Sequence, residues 1–189
     1  MTLRLATRDD LAVLTALMDA AIEQLQRGFL DDDQIASSKA IMGMDRQLID
    51  DGTYFVVEID GAVAGCGGWS RRATLYGGDH SSGRDATLLD PATDPARIRA
   101  MYTHPDYTRR GVGRRVLEAS EAAAAAEGFS TLELMGTRSG RPLYESFGFV
   151  PLEELEDATG GAPVPMTRMR KAVTIWTGGQ RRKRDRPSS

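Results

Sequence analysis

The stretch Thr108-Arg109-Arg110-Gly111-Val112-Gly113-Arg114-Arg115 has the residue types of an anion site. It follows an apolar strand-like run, Ile98 to Thr103, and a His104-Pro105-Asp106 turn, and it opens a long helical pattern from Gly113 to Glu127. The first free N–H groups of a helix point out of its N-terminus, where the helix dipole adds partial positive charge. Glycines let a backbone approach a bulky phosphate, and arginines add fixed charge. The expected ligand therefore carries a phosphate, above all a pyrophosphate. A Walker A loop would need Lys and then Ser or Thr after the second glycine, whereas Arg114 and Arg115 stand there. A dinucleotide fingerprint would need a third glycine, where Val116 stands.

Downstream lies Leu143-Tyr144-Glu145-Ser146-Phe147-Gly148-Phe149. With this segment, which looks like a Tyr-x-x-x-Gly-Phe signature closing a helix before a strand, the chain resembles the GNAT superfamily of N-acetyltransferases. The family's Gln/Arg-x-x-Gly-x-Gly/Ala loop matches Thr108 to Gly113, with Thr108 in place of Gln or Arg. Thr137 and Gly140 replace the Asn and Ala of many relatives. The resemblance covers roughly residues 2 to 172; residues 1–172 are expected to form one N-acetyltransferase domain, with 173–189 as a basic, mobile C-terminal extension. It implies an α+β fold with a mixed, mostly antiparallel twisted sheet of roughly six or seven strands flanked by about four helices.

It also implies a reaction. Acetyl-CoA would be the co-substrate, without a metal, and the acceptor a primary amine of a small molecule. Met101, Tyr102 and Thr103 would offer backbone to pantetheine, in the manner of strand addition. Arg109, Arg110, Gly111, Val112, Gly113 and Arg114 would hold the pyrophosphate. Tyr144 stands where the family places the phenol serving the leaving thiolate; the other reading is an aromatic packed on the sheet. Relatives use a Glu or water as base, and Glu133, out of phase with Leu132 and Leu134, faces either pocket or solvent. Arg97 and Arg99 share one strand face. They bind an acceptor carboxylate, which makes Arg99 a substrate-binding candidate, or pair with acids such as Asp90 or Asp94. Trp69 lines the acceptor pocket or belongs to the core. A non-catalytic acyl-CoA sensor and a protein N-acetyltransferase are the alternatives. Relatives commonly form homodimers, which no residue here decides.

The elements that position these residues follow from pattern. Leu3 to Leu5 alternates as a strand. Leu11, Leu14, Leu17, Met18, Ala21, Ile22 and Leu25 recur at helical spacing, and Gly28 ends the run. A patchier helical stretch runs from Asp33 to Asp50. Asp60-Gly61 separates Tyr54–Ile59 from Ala62–Trp69, a hairpin signal. Ser70 to Ala96 has five Gly or Pro residues and no clean period; it is a wall over the acceptor pocket or a surface insertion. His80 within it could titrate near neutrality or sit solvated, and His104 reads as a turn residue. Thr131–Met135 and Phe149–Leu152 read as strands, Gly140–Phe147 as a short helix, and Val164–Met169 as a terminal strand.

Composition sets outer bounds. The chain has 189 residues, 41% hydrophobic and 27% charged, as in soluble globular proteins. No apolar run has the length of a membrane span, and the N-terminus lacks a signal-peptide core, so a cytoplasmic protein without membrane contact is expected. A lone Cys66 precludes an internal disulfide. Five basic residues against Asp185 give the last nine residues a local +4, so the rest carries −7 of the net −3. With an acidic body and few aromatics, no nucleic-acid partner is expected.

Overall fold

The structure is a computed structural model that describes residues 1–174. The basic tail anticipated from the sequence lies almost wholly outside the described residues. Seven strands form one sheet in the order β1-β2-β3-β4-β5-β7-β6: β1 Thr2–Leu5, β2 Tyr54–Ile59, β3 Ala62–Ser70, β4 Ala96–Thr103, β5 Thr131–Thr137, β6 Val150–Asp157 and β7 Val164–Ala172. Neighbours run antiparallel except β4 and β5, which are parallel. The helices are α1 Leu11–Leu25, α2 Asp32–Ile41, α3 Arg46–Asp50, α4 Val112–Ala126 and α5 Arg141–Phe147. Among the described residues, no helix is long and apolar enough to cross a membrane.

Strand alternation assigns the faces. On β2, Tyr54 and Val56 pack with Leu14, Leu17 and Met18 of α1, whereas Val57 and Ile59 pack with Val112 and Val116 of α4. The sheet is thus covered on both sides; β2 and β3 read as largely apolar runs, whereas β4 and β5 interleave apolar residues with Arg97, Arg99 and Glu133. Three elements depart from the sequence pattern. The single helix expected over Asp33–Asp50 is two, which raises the helix number to five. It breaks at Gly43, whose φ of +149° suits glycine, and restarts where the Asp45 carboxylate accepts from Gln47 N at 3.2 Å as an N-cap. β6 runs to Asp157, past the anticipated Leu152, because it is an edge strand whose exposed Glu153, Glu154 and Glu156 mask its period. β7 likewise reaches Ala172.

The decisive feature is the parting of β4 from β5. They pair only through Ala96↔Leu132 and Arg97↔Glu133. Further along, β4 is bent by a bulge: Ala100 has φ +49°, and the register against β3 slips between Cys66 and Gly68. Left-handed backbone at a residue with a Cβ costs about 1–2 kcal/mol, so something must hold it. The buried Tyr54 phenol does so, donating to the Ala100 carbonyl at 2.7 Å. Burial raises the Tyr54 hydroxyl well above its usual range and keeps it a donor.

The segment between β3 and β4 folds back on itself as a hydrogen-bonded arm. Ala73 N donates to Thr87 O, Thr74 N to Asp85 O and Leu89 N to Arg71 O, at 2.8–2.9 Å.

Tyr54→Phe should therefore lower stability by about 1–3 kcal/mol, the cost of leaving a buried carbonyl without its donor. The urea midpoint measures it, and an unchanged midpoint would remove the phenol from the account of the bulge.

Candidate active site

Where β4 and β5 part, a cavity of about 570 Å³ opens, within the size range of small-molecule sites. Met101, Tyr102 and Thr103 line it from β4, Leu134 and Thr137 from β5, Val112 and Gly113 from the start of α4, and Tyr144 from α5.

The turn into α4 has the uncapped, left-handed geometry that suits an anion. After a single 3-10 turn over Pro105–Tyr107, Thr108 is extended, Arg109 is left-handed at φ +59°, and Gly111, the N-cap, is left-handed at φ +82°. No side chain caps α4, which leaves the N–H groups of its first turn available to a ligand. A Cβ on Gly111 would meet nothing within 4 Å, so this glycine serves backbone conformation and leaves open space. Gly113 serves packing, contrary to the expectation that both glycines admit phosphate: a Cβ there would lie 2.6 Å from Leu143 Cδ2 of α5. Gly65 and Gly67 of β3 act the same way. Cβ atoms on them would fall 2.4 Å from Val112 Cγ1 and 2.4 Å from Met101 Sδ. These three absences let α4 settle onto the sheet with its N-terminus beside the gap.

Arg109 and Arg114 line the cavity. Arg110 does not; its guanidinium lies over the Tyr107 ring, 5.2 Å from the centroid.

A family model described as an acetyltransferase (GNAT) domain matches residues 50–151. The chain belongs to the GNAT acetyltransferase family. Solved structures share the fold over nearly its whole length. A GCN5-related N-acetyltransferase from Rhodopseudomonas palustris is 22% identical with TM-score 0.67, over 90% of this chain and 94% of its own. The PaiA N-acetyltransferase from Thermoplasma acidophilum, solved with coenzyme A, is 15% identical with TM-score 0.60, over 90% and 98%. YncA from Salmonella typhimurium, solved with acetyl-CoA, is 21% identical with TM-score 0.58, over 96% and 98%. A search of curated proteins by sequence found no match. As a GNAT member the chain is an acyltransferase enzyme.

The remaining candidates separate. Tyr144 lies at the cavity, 8% exposed, with burial pushing its hydroxyl up to about 12. Its phenol makes no hydrogen bond among the described residues, and its ring meets Phe149 edge-on at 6.1 Å. Glu133 is brought elsewhere. At 1% exposure it binds Arg97 at 2.5 Å, Arg170 at 2.6 Å and Arg168 at 3.1 Å, outside the residues lining the cavity. Burial alone would raise its carboxyl, but the hydrogen bonds from Arg168 and Arg170 and the charge of Arg97 hold it below the usual value.

Arg99 reaches the cavity wall but is committed. Its Nη2 donates to Asp45 Oδ2 at 2.8 Å and to Gly77 O at 2.7 Å, and its Nη1 to Thr74 O at 2.8 Å. Burial lowers its pKa, with Asp45 working against that. Its partner is therefore Asp45, neither of the acids anticipated, and its work is to anchor the arm. Leu75, Tyr76 and Gly77 of that arm line the cavity, so the segment is a wall. Trp69 is core: 1% exposed, edge-on to Phe129 at 5.9 Å, and under the Arg71 guanidinium at 5.3 Å. His80 contacts the Lys39 carbonyl at 3.1 Å, and His104 accepts from Asp106 N at 3.2 Å as a turn residue. Sequence reasoning missed Gln26, which lines the cavity from the end of α1.

These placements make Glu133→Gln a stability variant. It should cost about 2 kcal/mol, less than a fully buried pair because Arg168 and Arg170 reach solvent, with turnover per folded molecule within about twofold of wild type. Glu133 is depressed below its ordinary 4.5, so the stability gap should be full above that pH and close as pH falls further. Unfolding midpoints across pH measure it; a loss of turnover without loss of stability would return Glu133 to the catalytic list.

Proposed function

We propose that this enzyme transfers the acetyl group of acetyl-CoA to a primary amine of a small-molecule acceptor by direct attack on the thioester. One observation carries the reading: a single cavity runs from the uncapped start of α4, through the gap between β4 and β5, past Tyr144, to a chamber walled by α1 and the arm. The site fits such a ligand by its own construction. An anion-ready turn sits at one end, unpaired β4 backbone follows, and Gly111 leaves room where a side chain would stand.

When bound, acetyl-CoA supplies an activated acyl carbon with a thiolate leaving group. The residues do the rest. N–H groups at the opening of α4, with Arg109 and Arg114, hold the diphosphate. Backbone of Met101, Tyr102 and Thr103 pairs with the pantetheine amides and sets the depth of the thioester. A backbone N–H near Tyr102 polarises the carbonyl. The amine nitrogen forms the new C–N bond as the C–S bond breaks. Tyr144 gives its proton to the departing sulfur and is reprotonated from solvent, while the amine loses one N–H proton. Among the described residues no Asp, Glu, His or Lys lines the cavity, so water receives that proton. A small acceptor suits a chamber bounded by Ile22, Phe29, Ile41 and Tyr76 better than an extended peptide does.

Two variants test this. Tyr144→Phe should lower kcat by at least about tenfold with the coenzyme A Kd unchanged by calorimetry. Because the phenol titrates only at about 12, wild-type kcat should show no loss of an acid below that range. Turnover equal to wild type would strip Tyr144 of its role. Gly111→Glu sets a carboxylate against the diphosphate in a strained backbone, and acetyl-CoA affinity should fall by at least about tenfold; unaltered affinity would move the nucleotide away from this turn.

A further inference from the structure

The acceptor end of the cavity is largely apolar. Ile22, Leu25, Phe29, Met42, Leu75 and Met166 line it, and Phe29 does so while 47% exposed, an apolar ring presented to whatever enters from solvent. A cationic acceptor buried here would find no counter-charge, since among the described residues no carboxylate lines the cavity. An unpaired ammonium in such surroundings costs several kcal/mol. The Nη groups of Arg99 are spent on Asp45, Thr74 and Gly77, so a carboxylate on the acceptor finds no free partner there either.

Of the polar side chains that border it, the Tyr76 hydroxyl donates to Asp157 Oδ2 at 3.0 Å and the Tyr102 hydroxyl accepts from Gly43 N at 3.1 Å, whereas Gln26 is left with little to bond. It is 5% exposed, and its side-chain amide makes one hydrogen bond among the described residues, a long N–H···S contact to Met42 Sδ at 3.5 Å. A primary amide offers two donors and two acceptor lone pairs, and most of these are left free for a ligand in the cavity. Its oxygen accepts nothing from the described residues, yet the side chain borders the cavity. A neutral amide there matches a neutral N–H group.

The proton balance points the same way. With water as the only receiver, the amine must arrive uncharged. At pH 7 an amine as basic as lysine is neutral in only about one molecule in 2,500.

Resting on the acetyltransferase reading, we infer that the acceptor is an uncharged, largely apolar amine of low basicity, of the arylamine class, and that Gln26 sets this preference by hydrogen bonding to the acceptor in place of a carboxylate.

The test measures acetyl-CoA binding to the full chain by calorimetry and thiol release with aniline, benzylamine and a diaminobutane as acceptors. Wild type should bind acetyl-CoA and favour aniline over the diamine in kcat/KM by at least about tenfold at pH 7. Benzylamine kcat/KM should climb about tenfold per pH unit up to the amine's own pKa, and aniline should stay flat, because the neutral form alone reacts. Gln26→Met, close in volume and apolar, should lower aniline kcat/KM several-fold with acetyl-CoA affinity retained. Gln26→Glu should shift the aniline-to-diamine ratio toward the diamine. A wild-type preference for the diamine, a benzylamine profile that levels off below the amine pKa, or a ratio unmoved by both folded variants would overturn the inference while leaving the acetyltransferase intact. Failure to bind acetyl-CoA, or binding without thiol release to any amine, would overturn the underlying reading with it.

Discussion

Everything in this molecule depends on two parallel strands that stop pairing. β4 and β5 share two residue pairs and then diverge. A sheet that remained paired would spend its backbone groups internally and leave no cavity between its central strands. The divergence rests on the bulge at Ala100, an alanine in left-handed backbone opposite Gly67, and on the phenol of Tyr54 that grips its carbonyl. Strain of this kind persists only where the surroundings over-determine it. Here the surroundings include the buried tyrosine of β2, reaching past β3 to the Ala100 carbonyl of β4.

The second constraint is how deeply α4 can sit. A helix N-terminus serves a ligand only if it lies beside the gap. Ordinary side chains at Gly65 and Gly67 would push α4 off the sheet through Val112 and Val116, and one at Gly113 would push α5 away through Leu143. The absence of three Cβ atoms on two elements therefore sets the position of the α4 N-terminus, and the left-handed residues Arg109 and Gly111 shape the turn into it. Conformation and packing divide between the two glycines of the loop: Gly111 supplies the turn, and Gly113 supplies the seat.

What could be read in the sequence was local. The strand, turn and helix start around Thr108–Gly113 lie within a few residues of one another, and so do Tyr144 and Gly148; their arrangement survives folding unchanged. The Asp60-Gly61 hairpin is equally local. Register was beyond reach. That Glu133 faces three arginines follows from its pairing with Arg97 on one side and Arg170 on the other, and no period in the chain states that register. Arg99 and Asp45 are distant in sequence and meet only because folding brings the N-cap of α3 within hydrogen-bond reach of β4. Trp69 could be placed in core or pocket by its chemistry alone, and the T-shaped contact with Phe129 decides for core. Gln26 gave no signal at all, a polar residue at a helix end being ordinary; its meaning comes from the cavity beside it.

The distribution of charge around the cavity completes the logic. Arg109 and Arg114 stand at the α4 end, where a diphosphate brings negative charge. Arg99, the remaining arginine of the lining, is neutralised by Asp45, which also binds Arg84 at 2.8 Å. Deeper in the sheet, Arg97 is neutralised by Glu133. The carboxylates that might have served as base or counter-ion are thus consumed in holding arginines, and the arginines are consumed in holding the arm and the sheet. A polarised site results, cationic where the nucleotide would lie and uncharged where the acceptor would enter. In a low-dielectric chamber that contrast acts on substrate choice more strongly than it would in water. On the proposed reading it would reward a nitrogen that enters without its extra proton, with Tyr144, raised by its own burial, as the acid.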